Sequence, residues 1–163
     1  MTPHDRAVVA PSATTTYALF GLRGDFDDPG EVTRALNLTP SVCHGKGEEY
    51  VGHLDRHTLG VRRYPWGVWI VYSRPPVISD NPHDHLKALL AILEPQSDAI
   101  ARLRAARGLS AQFRVCHAAS FDEFGYTLPA DLLNRVSRLC DEVYFTHYCL
   151  DAHAAEDEGP PPA

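Results

Sequence analysis

Runs of residues that favour β-strands alternate along this chain with runs whose apolar residues have helical spacing. The strand-like runs are Thr14–Leu22, Trp66–Ser73, Ser110–Ala118 and Glu142–Leu150. Strands that are separated by helices in this way form one sheet, and the helices must cover at least one of its faces. The order therefore predicts an α+β two-layer sandwich, with about four to five strands and with helices packed mainly on one face. The repeated strand–helix–strand order also suggests a degenerate β-α-β duplication.

Proline, glycine and capping residues mark the helix boundaries, and the predicted helical regions begin near Asp28, Asn81 and Thr127. At the first of them, the Asp28 carboxylate can accept backbone N–H groups, and Glu31 can complete a capping box. The second region is interrupted at Pro95, which lacks a backbone donor, and it ends at Gly108. The third region extends to Leu139 and has one apolar face.

Composition divides the chain into a folded body and two polar ends. Residues 1–13 are expected to be a flexible N-terminus, and residues 14–150 are expected to form a single α+β domain. Residues 151–163 combine four carboxylates with three consecutive prolines, which predicts a disordered acidic, proline-rich tail. Within the body, the glycine-rich segment Ser41–Gly60 is predicted to be a long loop with a weak strand at Glu49–Leu54.

Charge and cysteine content limit the classes of function. The net charge is −6, and the four tail carboxylates leave only −2 for the rest of the chain. Phosphate contacts need clustered cations. The clearest cluster here is only the pair Arg62 and Arg63, so we expect no nucleic-acid partner. No apolar run approaches the ~20 residues of a membrane span, so we expect no membrane partner. Residues 1–13 lack the apolar run of a secretion signal, and no cysteines form a Cys-x-x-Cys pair, which favours a cytoplasmic protein with reduced thiols.

Six segments together carry a resemblance to a known family. They are YALFGLRGD, EVTRALNLTPS followed by Lys46-Gly47, WGVWIVYS, the leucine-rich helix, QFRVCHAAS and LPADLLNRVSRLCDEVYFTHYCLD. With them the chain resembles the bacterial family called domain of unknown function 4279, from about Tyr17 to Asp151. The resemblance implies a compact α+β fold and a bacterial origin, and it carries no catalytic residues that can be transferred. The segment Glu48–Arg63 and Trp66 are expected to be peculiar to this chain.

Histidine and cysteine raise the question of a metal site. His147 and Cys149 lie two residues apart on the last predicted strand and therefore share one face of the sheet, and Cys116 or His117 could lie on a neighbouring strand. Histidine and cysteine side chains of this kind can bind zinc. Apolar residues share that face, however, and the paired spacing of known zinc sites is missing. We therefore predict no cofactor, and the alternative is zinc at His147, Cys149 and Cys116, or with His117 in place of Cys116.

The segment Cys43-His44-Gly45-Lys46-Gly47 has the most enzyme-like composition. A thiol beside a histidine and a lysine can act as a nucleophile, and glycine-rich turns can bind anions through backbone N–H groups. The residue order of a P-loop is absent. In the structural interpretation the glycines only turn the chain, and Lys46 is solvated or pairs with a carboxylate. Cys43, His44 and Lys46 are kept as candidate binding residues.

The tryptophan strand supplies the other candidates. One of its faces must belong to the core, and under ideal alternation the other face, with Trp66, Val68, Ile70 and Tyr72, is apolar as well. The strand is thus either covered on both faces or exposes an aromatic patch of the kind found at interfaces. Burial is the preferred interpretation, because large aromatic side chains are mostly buried. Trp66, Trp69 and Tyr72 complete the set of candidate binding residues.

No Ser-His-Asp order, paired carboxylates, nucleotide fingerprint or metal-ligand spacing is present, which argues against an enzyme without excluding one. The leading hypothesis is a non-catalytic bacterial binding protein that acts through protein–protein contact. Its most specific form is an immunity or antitoxin-like inhibitor of a partner. The alternative is a small-molecule-binding protein or small enzyme, for example of secondary metabolism, that uses the Cys43–Lys46 loop and the Trp66/Trp69 strand. Catalytic residues are unknown.

Overall fold

The protein is organised around a five-stranded mixed sheet, and a two-stranded hairpin lies beside it. The computed structural model describes residues 15–54, 57–119 and 127–149. The strands are β1 (Thr15–Gly24), β2 (Val42–His44), β3 (Glu49–Leu54), β4 (His57–Arg63), β5 (Gly67–Tyr72), β6 (Ser110–Ala119) and β7 (Glu142–Cys149). The α-helices are α1 (Pro29–Leu36), α2 (Pro82–Leu93), α3 (Ser97–Arg107) and α4 (Ala130–Ser137).

The strand order of the main sheet is β2-β5-β1-β6-β7. All neighbouring strands are antiparallel except β6 and β7, which are parallel. In β1-α1-β2 the two strands are parallel and β5 lies between them, and in β5-α2-α3-β6 the two strands are parallel and β1 lies between them. These two interlocked units have the β-α-β-β-α-β order of split β-α-β folds. The suspected duplication stays a prediction. Helix α4 and strand β7 extend this arrangement at one edge.

The hydrophobic core lies between the helices and one face of the sheet. Alternate residues of the three central strands are buried on that face, namely Ala18, Phe20, Leu22, Trp69, Val71, Ala111, Phe113 and Val115. The helices contribute Val32, Leu36, Leu86, Leu89, Leu90, Leu93, Ile100, Leu132 and Val136 to the same cluster. The predicted α+β two-layer sandwich with helices on one face is confirmed, because the two-residue period of the strands and the helical spacing of the leucines meet in a single core.

Local signals place most helix boundaries as expected. The Asp28 carboxylate accepts the backbone N–H of Gly30 at 2.8 Å, which caps α1. Pro95 lies in a 3-10 turn, Glu94–Gln96, which separates α2 from α3. The capping box is the exception, because the Glu31 carboxylate pairs with Arg107 of α3 instead of bonding back to the start of its own helix. A long-range ion pair thus replaces the local bond that the sequence suggested.

The region predicted to be a loop contains three strands. Residues 42–44 form the edge strand β2, where Val42 is opposite Ile70. The weak strand predicted at Glu49–Leu54 is confirmed as β3. It pairs with β4, which the sequence did not indicate. The second strand of the hairpin was not predicted because glycine weakens the sequence pattern of a strand. Gly60 is needed there because its φ of 85° is a conformation that favours glycine.

Strand β5 is covered by helices on one face only. Trp69 and Val71 are buried in the core, whereas Val68, Ile70 and Tyr72 point to the opposite face and are each only partly exposed. Within the described ranges, no helix packs on that opposite face. The preferred interpretation of the sequence, burial of both faces, is therefore wrong for this second face, which belongs to an aromatic surface.

Two expectations lie outside the described residues. They concern the flexible N-terminus 1–13 and the acidic tail 151–163, and they stay predictions. Among the residues that are described, no helix combines the length and the apolar character needed to cross a membrane.

Candidate functional site

The side of the five-stranded sheet that faces away from the helices is the candidate binding surface, and we call it the open face. Strand alternation and register assign its residues, because directly paired residues point to the same side. Its principal side chains are Tyr17, Leu19, Arg23, Val42, Val68, Ile70, Tyr72, Gln112, Arg114, Cys116, Tyr144 and Tyr148, with Trp66 at the entrance to β5. Aromatic and apolar groups make up most of this set, and two arginines interrupt it. Register also places the polar residues His44, Glu142 and Thr146 on the open face.

Side chains of the open face are buried near its centre and exposed towards its edges. Leu19, whose partners in the sheet are Tyr72 and Arg114, is only 6% exposed. Towards the edges, Trp66 is 53% exposed, Tyr144 42% and Tyr148 50%. Large aromatic groups that stay accessible on a rigid sheet are enriched at protein interfaces relative to the rest of a protein surface.

The two arginines of the open face lie on aromatic rings. The guanidinium of Arg23 is 5.9 Å from the centroid of the Trp66 ring, and that of Arg114 is 5.6 Å from the centroid of Tyr144. In the part of the chain that the structure describes, neither arginine forms an ion pair with a carboxylate. Cation–π contact orients each guanidinium while leaving in-plane N–H donors for another acceptor.

A tyrosine–glutamate pair lies beside these arginines. The Tyr144 hydroxyl donates to the Glu142 carboxylate at 2.6 Å. This hydrogen bond raises the pKa of Tyr144, and the positive charges of Arg23 and Arg114 oppose the increase. Both arginines are therefore close enough to Tyr144 to share its electrostatic environment.

A second tyrosine lies at the boundary between the open face and an adjoining cleft. Tyr17 is opposite Cys116 in the sheet, and the hydrogen bond between their side chains, followed by burial, raises the pKa of Tyr17 to about 12. Its phenol therefore remains neutral at physiological pH. The Tyr17 ring meets that of Tyr72 edge-on, with centroids 5.9 Å apart.

The cleft opens where β5 ends and has a volume of about 720 Å³. The residues that line it are Tyr17, Tyr72, Arg74, Pro75, Val77 and Ile78. Ile78 is 91% exposed, and it lies in the loop that connects β5 to α2. The Nε atom of Arg74 is buried and has no hydrogen-bond partner among the described residues. A mostly apolar cleft with one cation is the composition typical of small-ligand sites.

A buried histidine fixes the loop that forms this cleft. His85 is fully buried, its Nε2 lies 2.7 Å from the Ser79 carbonyl oxygen and its Nδ1 lies 2.8 Å from the Ser73 hydroxyl. Because a carbonyl only accepts, Nε2 carries the proton, and Nδ1 accepts from the Ser73 hydroxyl. Ser73 in turn accepts the backbone N–H of Ala18 at 2.8 Å. Helix α2, the loop and β1 are thus joined by one chain of hydrogen bonds.

The candidate residues of the Cys43–Lys46 segment point in different directions. Cys43 is exposed and is opposite Trp69 in the sheet, so it shares the helix side of the sheet. The His44 ring points to the other side and stacks on Tyr64, with centroids 3.5 Å apart. Lys46 donates to the Asp25 carboxylate at 2.8 Å, as the structural interpretation of the sequence expected. The three side chains do not converge on one point.

The two candidate tryptophans are on opposite sides of the sheet. Trp69 is fully buried in the core, where its indole N–H lies 3.1 Å from the Thr33 hydroxyl. Trp66 is exposed beside Arg23. Of the aromatic candidates, Trp66 and Tyr72 therefore belong to the open face, and Trp69 holds the fold together.

The alternative zinc ligands are also on different sides of the sheet. Cys116 is opposite Tyr17 on the open face, whereas His147 is paired with His117 on the helix side, where the two rings stack 5.6 Å apart. Cys149 is paired with Ala119 of β6, two residues beyond His147 along β7. Among the described residues, no group of three or more potential ligands is close enough to hold a metal. His117 is buried, and burial, followed by the nearby His147, lowers its pKa.

Sequence reasoning missed Tyr17, Arg23, Arg114, Tyr144 and Tyr148 as candidate site residues. The signal that could have found them is alternation read across all strands together, because every second residue of β1, β6 and β7 falls on the open face. Reading the tryptophan strand alone identified only part of the surface.

Comparison with known proteins identifies a family. No curated protein and no solved structure matches the chain. A family model described as domain of unknown function (DUF4279) matches residues 14–150, which is most of the chain. The resemblance inferred from the six sequence segments is thereby confirmed. The chain belongs to the DUF4279 family.

Proposed function

We propose that this protein is a non-catalytic binding protein that docks a protein partner on its open face. The observation that carries the proposal is the accessible aromatic surface on a sheet whose other face is packed against helices. Exposed aromatic side chains cost free energy in water unless another surface covers them. A sheet is also a rigid platform, so little conformational entropy is lost when a partner binds to it.

Charge indicates what the partner presents. Arg23 and Arg114 are oriented by aromatic rings and have no carboxylate partner in the described part of the chain. A partner that places carboxylates beside apolar groups would pair with both arginines while covering Tyr144 and Trp66. A second copy of this chain fits less well, because a self-complementary contact centred on Leu19 would bring the Arg114 side chains of both copies close together.

In its narrower form, the proposal is that the partner is an enzyme or toxin and that docking blocks its active site, as an immunity protein or antitoxin does. A small domain with one rigid contact face suits this role, since inhibition needs only coverage of the target. The narrower form is tested by adding the purified protein to the captured partner and measuring the activity of that partner.

The experiment is affinity purification of the tagged full-length protein from its native host, followed by native mass spectrometry. The test variant is Arg23→Glu/Arg114→Glu, and the matched control is Arg102→Glu/Arg138→Glu. The control makes the same charge change at exposed positions of the helix layer, outside the open face. Hydroxyl-radical footprinting of Trp66, Tyr144 and Tyr148, with and without partner, locates the contact.

We expect a stoichiometric complex that the control retains, that the test variant loses, and that protects the three aromatic residues from oxidation. A complex that survives the charge reversal, or that protects the helix layer instead, would contradict the proposal. Self-association through the open face would contradict it as well, because the occupant would then be a second copy. The milder variant Arg23→Gln/Arg114→Gln separates loss of binding from loss of folding.

The second candidate function is small-molecule binding or catalysis at the Cys43–Lys46 segment. The supporting observation is that the Cys43 side chain is exposed on the helix side of the sheet, while the ring of the next residue, His44, stacks on Tyr64 on the other side. If this candidate is correct, the protein purified from its host carries a small-molecule mass that Cys43→Ser/Lys46→Gln lacks. A mass that persists in this variant would eliminate the candidate.

A further inference from the structure

We propose that the cleft at the end of β5 binds a small aromatic carboxylate, with the aromatic body against Tyr72 and Ile78 and the carboxylate on Arg74. This site is separate from the arginines of the open face, and neither the family nor the proposed partner contact assigns it. Its volume of about 720 Å³ lies within the range of known small-molecule sites.

The walls of the cleft select an apolar, flat ligand. Two tyrosine rings and the side chains of Pro75, Val77 and Ile78 supply most of the lining. Ile78 is 91% exposed, so covering it removes apolar surface from water, and an aromatic ligand can also stack on the rings.

The polar group of the cleft selects an anion. Arg74 is the cation among the lining residues, and in the described ranges it forms no ion pair. Its Nε atom is buried without a hydrogen-bond partner among the described residues, a state that costs free energy. A carboxylate matches the fork of a guanidinium with two parallel hydrogen bonds, and one arginine balances one negative charge. Tyr17 does not repel a bound carboxylate, since its raised pKa keeps the phenol neutral.

The cleft is also pre-organised. The loop that carries Arg74, Val77 and Ile78 is bonded at both ends to His85, through Ser73 and the Ser79 carbonyl. A ligand therefore does not have to order the loop when it binds, which lowers the free-energy cost of binding.

The test compares 2-naphthoate with its neutral analogue 2-naphthamide by isothermal titration calorimetry on the full chain. A ligand of this size in such a cleft is expected to have a Kd of about 1 mM or lower. We expect naphthoate to bind about tenfold more tightly than the amide, because a charge-assisted hydrogen bond is worth more than a neutral one. In Arg74→Gln the naphthoate affinity should fall to that of the amide, and the amide affinity should stay the same.

Two further variants complete the design. Ile78→Ser should weaken both ligands about equally, and Arg102→Gln, which removes a cation on the helix side, should weaken neither. Equal affinities of acid and amide in the unmodified protein, or an unchanged naphthoate affinity in Arg74→Gln, would overturn the proposal, as would no detectable binding. Arg23→Gln/Arg114→Gln should keep its naphthoate affinity, so failure of this site and failure of the partner contact are distinguishable.

Discussion

The Nδ1 atom of His85 accepts a hydrogen bond from the hydroxyl of Ser73 over 2.8 Å, inside a region that water does not reach. The bond links the first turn of α2 to the end of β5, and the opposite side of the ring extends the link to Ser79. A polar ring in the core is stable here because both of its nitrogens are satisfied. This histidine therefore fixes the position of the loop between β5 and α2.

Replacing His85 with leucine should destabilise the protein by about 1–3 kcal/mol, because buried polar groups of Ser73 and Ser79 lose their partner. Urea unfolding followed by circular dichroism measures the change. The matched control is His83→Ala in the same helix, where the ring is only partly buried and its bond to the Thr127 carbonyl lies at the surface. Equal losses in the two variants would show that the buried chain of bonds does not stabilise the fold.

The two tryptophans should differ sharply in their contribution to stability. Trp69→Ala empties a fully buried position and removes the partner of Thr33, so we expect a loss of about 3–5 kcal/mol. Trp66→Ala removes an exposed ring and its cation–π contact with Arg23, so we expect a loss below about 1 kcal/mol. Denaturant midpoints of the two variants check the ranking, and a reversed order would contradict the assignment of the faces.

Acid should destabilise the protein through His117. Burial, followed by the charge of His147, holds the pKa of His117 below 6.5, and Asp80 opposes this only in part. The unfolded chain therefore binds a proton at a pH where the folded chain does not, so stability is lost as pH falls below about 6.5. Urea unfolding between pH 7 and 5 should show a steeper loss in the unmodified protein than in His117→Gln. Parallel pH profiles would refute this.

Alkali should also destabilise the protein, in this case through Tyr17. Its folded pKa of about 12 lies above the ordinary value of 10.0, because its hydrogen bond to Cys116 and its burial favour the neutral phenol. The stabilisation is complete below pH 10 and declines as pH rises towards 12, since only the unfolded chain has then released the proton. Tyr17→Phe should show a smaller decline in unfolding free energy between pH 9.5 and 11. If both proteins decline alike, the tyrosine is not responsible.

Local sequence signals were sufficient for the main elements of the fold. Asp28, Pro95 and Gly108 each act on their immediate neighbours, and the apolar period of a strand or helix is a short-range property. The β3–β4 hairpin was not recognised, because Gly60 breaks the alternation that identifies a strand. The capping box predicted for Glu31 was wrong, because its partner Arg107 lies on a different helix, which no local signal indicates.

The candidate site was harder to predict than the fold. Alternation showed that Trp66 and Trp69 point to opposite faces, but which face the helices cover depends on packing between distant segments. The cation–π pair of Arg114 and Tyr144 exists only because β6 and β7 are neighbours, and the cleft exists only because His85 holds a loop in place. Such long-range relationships are absent from any single stretch of the chain.

The separation of the two tryptophans across the sheet gives the protein two intrinsic fluorophores with different surroundings. Trp69 emits from a dry, tightly packed environment and changes only when the core opens. Trp66 emits from the solvent side, where a soluble quencher can reach it and where a docked partner would shield it. With Trp66 replaced by phenylalanine, the emission should report unfolding alone, and with Trp69 replaced by phenylalanine, it should report the proposed contact at the open face without any added label.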